Sequence, residues 1–261
     1  MKSAKLLLGV IAALALPGCL QSETTITLKK DGSGTIVEET LLGAQMMQMM
    51  AQFAQPGQPD PIAEMFSEEK AKAKAAKFGE GVEYVKTETF EEDGRKGARM
   101  HYTFADINKI TASPGDAVED MGGDKPPAEG EKKKKESVKF AYADGKLRII
   151  VPPTDFDEMN IEDEEGADPQ QMAMMKQMMA DMRITMKLVV ADGIAETNAS
   201  YVEGDTVTLF DVEVGKMLGH KDALKKISET AKTDMDAAKA ELAKLEGIKV
   251  ETKDDVTVTV K

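Results

Sequence analysis

Tryptophan is absent, cysteine occurs once, histidine occurs twice, and aromatic residues make up 5% of the 261. A single cysteine cannot form an intramolecular disulfide, so the fold is held by its core. It also excludes paired-cysteine zinc sites. With only His101 and His220 available, acid–base chemistry would fall to carboxylates, and none stands out by its spacing. There is no nucleophile elbow, no phosphate-binding Gly-rich loop and no His-Glu-x-x-His helix. Asp31-Gly32-Ser33-Gly34 sets a serine between glycines, but it reads as a hairpin turn. The sequence therefore predicts a non-enzyme, with no catalytic residues and no cofactor. Positive charge is scarce: 34 Lys and Arg against 47 Asp and Glu give a net charge of −13. Such a chain is repelled by nucleic acid and by anionic lipid headgroups. No apolar run approaches the roughly twenty residues that a membrane-spanning helix needs.

What is present begins at the first residues. Met1-Lys2-Ser3-Ala4-Lys5 precedes an apolar run from Leu6 to Leu16, then Pro17-Gly18-Cys19. Two lysines, a short apolar core and a small residue before a cysteine make an export signal. The segment resembles a bacterial lipoprotein signal, cut before Cys19, whose thiol then carries diacylglycerol. Leu16 and Gly18 fit that pattern, while Pro17 between them is less usual. The alternative is a secretory signal cut after Ala13-Leu14-Ala15, which leaves Cys19 free. Acylation is favoured because it removes a lone thiol from an oxidising compartment. Acyl chains such as palmitate, at about 0.8 kcal/mol per buried CH₂, then hold the chain on a membrane. Leu20, rather than Asp, follows the cysteine. By resemblance to enterobacterial lipoproteins this implies the outer membrane, facing the periplasm, with inner-membrane anchoring or the cell surface as alternatives. Losing Lys2 and Lys5 takes the net charge from −13 to about −15.

Alternation of apolar and polar residues predicts an α+β fold: a mostly antiparallel sheet of β-hairpins with several helices on or beside it. Strands are expected at Thr24 to Lys30 and Thr35 to Leu42, around the Asp31–Gly34 turn. Val82 to Phe90 turns through Glu92–Gly97 into Met100, Tyr102 and Phe104. Val138, Phe140 and Tyr142 turn at Asp144-Gly145 into Leu147, Ile149 and Val151. Ile184 to Val190 and Val207 with Leu209 follow, and Ile248 to Val260 closes the chain as a last hairpin around Asp254-Asp255.

Four helices are expected. One covers Gly43 to Gln55. Asp60-Pro61 opens a second, to about Phe78, and Asp168-Pro169 a third, to about Met182. Lys221 to Glu246 forms the longest, with Leu224, Ile227, Ala231, Met235, Ala238, Leu242 and Leu245 in one stripe suited to a sheet. Thr111 to Glu136, ending in four lysines, reads as a solvated, unstructured loop. Asp155 to Glu165 reads as an acidic surface loop that lacks EF-hand spacing. The expected organisation is a signal at 1–18, an α+β domain at 19–215, and a helix plus hairpin at 216–261 within the same domain.

Methionine, at 18 residues, is clustered twice. Met46, Met49, Met50 and Phe53 share one helical face, as do Met172, Met175, Met179 and Met182. Three readings compete. Both stripes are core, since thioethers fill irregular gaps; or they line a mobile groove for a lipid or other apolar ligand; or they bind Cu(I), which soft thioethers prefer. Both histidines lie away from the clusters in sequence, and no metal ligand set is expected. The partners expected are a membrane, through acylated Cys19, and an apolar ligand or an envelope protein in an assembly role.

Two stretches resemble the mycobacterial LppM-like family of exported lipoproteins. One is Thr25-Ile26-Thr27-Leu28-Lys29-Lys30-Asp31-Gly32-Ser33-Gly34-Thr35, a strand, Asp-Gly-x-Gly turn and strand following the cysteine. The other runs from Ala191-Asp192-Gly193 through Asn198 to Gly204-Asp205-Thr206-Val207-Thr208. The resemblance implies an α+β lipoprotein domain, with lipid or glycolipid binding in some members, and no active-site residues. The chain departs from the family in its two Met-rich helices and in showing no C-terminal transmembrane helix.

Overall fold

The computed structural model describes residues 20–53, 60–114, 137–154, 156 and 179–261. The signal at 1–18, Cys19, Met172, Met175, most of the 111–136 loop and nearly all of the acidic loop lie outside them. The fold is α+β, built on two sheets rather than one, mostly antiparallel with one parallel pairing.

The strands, in chain order, are β1 (Leu20–Leu28), β2 (Gly34–Leu42), β3 (Glu83–Glu92), β4 (Arg95–Phe104), β5 (Thr111–Ala112), β6 (Val138–Ala143) and β7 (Lys146–Ile150). Then come β8 (Met182–Val190), β9 (Ile194–Thr197), β10 (Val202–Glu203), β11 (Thr206–Glu213), β12 (Ile248–Val250) and β13 (Asp255–Val260). The large sheet runs β10-β11-β8-β1-β2-β4-β3, with β12 also on β11; the small sheet runs β5-β6-β7-β13-β9. β1 buries every second residue, Leu20 to Leu28, as its alternation requires. It pairs in parallel with β8, from Leu20 opposite Met182 to Leu28 opposite Val190.

Hairpins form where the turn chemistry dictates. Asp93-Gly94 and Asp144-Gly145 have positive φ at both residues, 51° and 73°, then 50° and 74°. Two consecutive positive φ angles match the right-handed twist of the flanking strands. The turn expected over Glu92–Gly97 is therefore only two residues long.

The expected C-terminal hairpin does not form. β12 pairs with β11 in the large sheet, and β13 pairs with β7 and β9 in the small one. The chain crosses between sheets at Glu251, whose N–H donates to the Leu209 carbonyl at 2.9 Å. The start of the expected loop at 111 is strand β5, since Thr111 and Ala112 pair with β6.

The helices are shorter than periodicity suggests. They are α1 (Ala44–Phe53), α2 (Pro61–Met65), α3 (Glu68–Phe78), α4 (Val214–Gly219), α5 (Lys221–Ala231) and α6 (Met235–Leu242). The helix expected from 61 to 78 breaks because the Ser67 hydroxyl accepts the Lys70 N–H at 3.3 Å and starts α3. The helix expected from 221 to 246 breaks because Asp234 caps the Ala237 N–H at 3.0 Å and starts α6. Leu224, Ile227, Ala238 and Leu242 stay buried, but Met235, expected on the same stripe, is 42% exposed. Met182, expected to end a helix, begins β8.

One continuous apolar cluster includes Ile26, Ile36 and Leu188 of the large sheet and Leu147, Ile149 and Val258 of the small one. α3 lies along the β2–β4 face: Phe78 meets Tyr102 edge-on at 5.3 Å, and Lys74 pairs with buried Glu38 at 2.8 Å.

Candidate functional site

The topology brings the described parts of both methionine clusters to one end of the large sheet. β1 and β8 start there together, and β2 ends there, with Leu42 opposite Leu20. α1 follows β2 after a single residue, Gly43. β11 ends there too, with Glu213 opposite Arg183, and α4 follows it directly. A Cβ on Gly215 would come within 1.9 Å of the Ala180 carbonyl oxygen, so the α4 backbone rests on the turn that leads into β8. Met179, just before that turn, is helical.

The predicted residues divide by burial. Met182 is 9% exposed and belongs to the core. Met46, Met47, Met50 and Met179 are half-buried, packed against the core with one side still accessible. Met49 and Phe53 lie on α1, but their side chains are outside the description, as are Met172, Met175 and Cys19. The structure adds Met217 and Leu218 of α4, also half-buried. Their signal in sequence is faint, because six residues between β11 and His220 are too few to show a helical period. The outward residues of α1 are Ala44, Gln45, Gln48 and Ala51, and no residue of this helix is charged.

Charge is placed on the opposite face of the sheet from the core. Arg183 Nε and Nη2 donate to the two Asp211 oxygens, each at 2.8 Å, and Thr185 Oγ1 donates to Asp211 Oδ1 at 3.3 Å. Burial pushes the Asp211 carboxyl up, but the hydrogen bonds and charge of Arg183 outweigh it and hold it below its ordinary range. The same bond to Asp211 raises the Arg183 guanidinium. Lys187 donates to Glu23 at 2.7 Å, Arg99 pairs with Glu39, and His101 meets Glu88 at 3.0 Å. These pairs brace neighbouring strands and leave the methionine-rich end without an ion pair on α1. Among the described residues, no group of His, Cys, Asp or Glu is arranged to hold a metal, and no helix is long and apolar enough to cross a membrane.

The far end of the same sheet carries the two motifs singled out in the sequence. Because β1 and β8 run parallel, their C-terminal turns meet: the Lys30 N–H donates to Asp192 Oδ2 at 2.8 Å, and Ala191 N–H to the Leu28 carbonyl at 2.8 Å. Gly32 takes φ 87°, and an added Cβ there would touch the Tyr142 ring. The Tyr142 hydroxyl donates to the Lys30 carbonyl at 2.8 Å. Two stretches far apart in sequence thus form one structural unit, which ties the large sheet to the small one.

No family model matches the chain, and no curated protein matches it. Among solved structures it is similar to the NMR structure of the folded domain of LppM from Mycobacterium tuberculosis. The two share 13% identity, with 78% of this chain and 88% of that chain covered and a TM-score of 0.26.

Proposed function

We propose that the chain is a non-enzymatic lipoprotein, anchored through acylated Cys19 in the outer membrane and facing the periplasm, whose methionine-rich end binds an acyl chain. The observation that supports ligand binding is the placement of Met46, Met47, Met50, Met179 and Met217 at the same end of the sheet, all half-buried. A pure core role would bury them as fully as Met182 and Met186, which are 9% and 1% exposed. Thioether side chains adapt to varied apolar shapes, which suits a site that must accept a flexible chain. The test is native mass spectrometry of residues 20–261, which hold every described element, recovered from a bacterial periplasm. The expected spectrum carries added mass matching a phospholipid or fatty acid, and a Met50→Asp, Met179→Asp variant loses it while keeping its melting temperature. A clean apo mass in the unaltered chain overturns the ligand reading and leaves an assembly role. Added mass matching copper overturns it in favour of Cu(I).

A further inference from the structure

We infer that the methionine-rich end is seated directly against the bilayer surface, with α1 at the level of the lipid headgroups. This rests on the reading that Cys19 is acylated. Leu20 is already in the sheet: it pairs with both Leu42 and Met182 and is 1% exposed. Successive Cα atoms are about 3.8 Å apart, so an acylated Cys19 stands one residue from a fixed strand. The headgroup layer on each side of a bilayer is roughly 5–7 Å thick, from total and hydrocarbon thicknesses. A single peptide unit is thus the only chain between anchor and fold, and with the cysteine side chain and its glycerol the whole reach is about as long as that layer is deep. There is no tether on which the domain can stand away, and the Leu20 end of the sheet lies within the headgroups.

Of what the fold presents there, α1 suits that position; the charged part of the same edge, Glu91, Glu92 and Asp93 with Arg95 and Lys96 at the β3–β4 turn, begins two strands away from β1. α1 leaves β2 one residue after Leu42, the ladder partner of Leu20, and bears no charge in a chain of net charge −13. An acidic helix at this place would be repelled by anionic lipid and would have to be desolvated. Ala44, Gln45, Gln48 and Ala51 face outward, and half-buried Met46 and Met50 can complete their burial against lipid. The α5–α6 hairpin starts and ends near this edge, where the Glu213 N–H donates to the Gly247 carbonyl at 2.8 Å. Lys239, one turn after Met235, pairs with Asp254 at 2.9 Å, and the Asp254 carbonyl accepts the N–H of Val151, just beyond β7, at 3.2 Å. The middle of α6 is thus held beside the small sheet.

The test is hydroxyl-radical footprinting of methionines, read by mass spectrometry, on the full chain purified from bacterial membranes and placed in phosphatidylcholine nanodiscs. The reference is residues 20–261 free in solution, with Met235 as internal control. Oxidation of Met46 and Met50 is expected to fall several-fold in nanodiscs, while Met235 oxidises equally in both. Equal oxidation of Met46 and Met50 in nanodisc-bound protein overturns the seating and leaves the anchor standing. A full chain recovered in the soluble fraction, with no lipid on Cys19, overturns both.

Discussion

Glu251 shows how much a single residue carries in this fold. It is fully buried, yet its carboxylate accepts Ser200 N–H at 2.6 Å, Ser200 Oγ–H at 2.8 Å and Lys253 N–H at 3.0 Å. Ser200 lies between β9 and β10, and Glu251 between β12 and β13, so this one side chain ties together two of the chain's passages between the sheets. A buried donor left without its acceptor costs about 1–3 kcal/mol. Glu251→Ala orphans two backbone donors and is expected to destabilise residues 20–261 by about 3 kcal/mol, measured by urea unfolding. Glu251→Gln, which retains one carbonyl oxygen, is expected to lose less. Asp211 has a different signature, in pH. Its folded pKa is depressed below its ordinary value of 3.8 because Arg183 outweighs burial. A depressed carboxyl contributes stability that is present above the unfolded pKa and is lost as pH falls through the folded one. The urea midpoint of the natural chain should exceed that of Asp211→Asn near neutral pH, and the gap should close as pH falls below the ordinary carboxyl value of 3.8 and through the depressed folded one. A gap unchanged in acid would mean that Asp211 contributes packing rather than charge.

At the scale of elements, the strands were legible and the helix breaks were not. Alternation with Asp-Gly turns is a local signal, and β1 to β4 form where it points. The helical stripes misled because an apolar period of three and four continues across a break when the second helix returns its own buried face to the same core. Ala231 and Ala238 fall on one idealised stripe, yet they belong to separate helices, α5 and α6. The caps that separate them, Ser67 and Asp234, are visible in sequence but sit inside uninterrupted periods. Removing the second cap, as Asp234→Ala, should cost about 1 kcal/mol without displacing Leu224 or Leu242 from the core. The candidate site was half legible. Composition marked the two methionine clusters, but their meeting depends on the parallel pairing of β1 with β8, which no local pattern encodes. Met217 was invisible for the same reason, since its place is fixed by contact of Gly215 with Ala180. Alanine normally stabilises a helix relative to glycine by about 1 kcal/mol. At Gly215 the sign should reverse: a Cβ would meet the Ala180 carbonyl oxygen at 1.9 Å. Gly215→Ala is expected to lower the melting temperature by an overpacking cost of about 1–3 kcal/mol. It should also raise the oxidation of Met217 in solution as α4 lifts.

At the scale of the molecule, the issue is whether the two sheets are one body. The two sheets draw on opposite ends of the described chain: the large one has β1, the first described strand, at its middle, and the small one holds β13, the last described strand, between β7 and β9. The chain passes between them five times, from β4 to β5, from β7 to β8, at Asp192-Gly193, beyond Ser200 and finally at Glu251, and the apolar cluster is continuous through both. Val258, 1% exposed, sits in the middle of β13 between Leu147 and Thr197. Truncating it to Ala removes two buried carbon groups and should cost about 1.5–2.5 kcal/mol. If the sheets unfold as a unit, native-state hydrogen exchange should show the slowest amides of β1 and β7 losing that same free energy. Loss confined to β7 would make the small sheet a separate unit. Equal loss in both would mean that a perturbation at the C-terminal strand is felt at Leu20, the residue next to the proposed anchor.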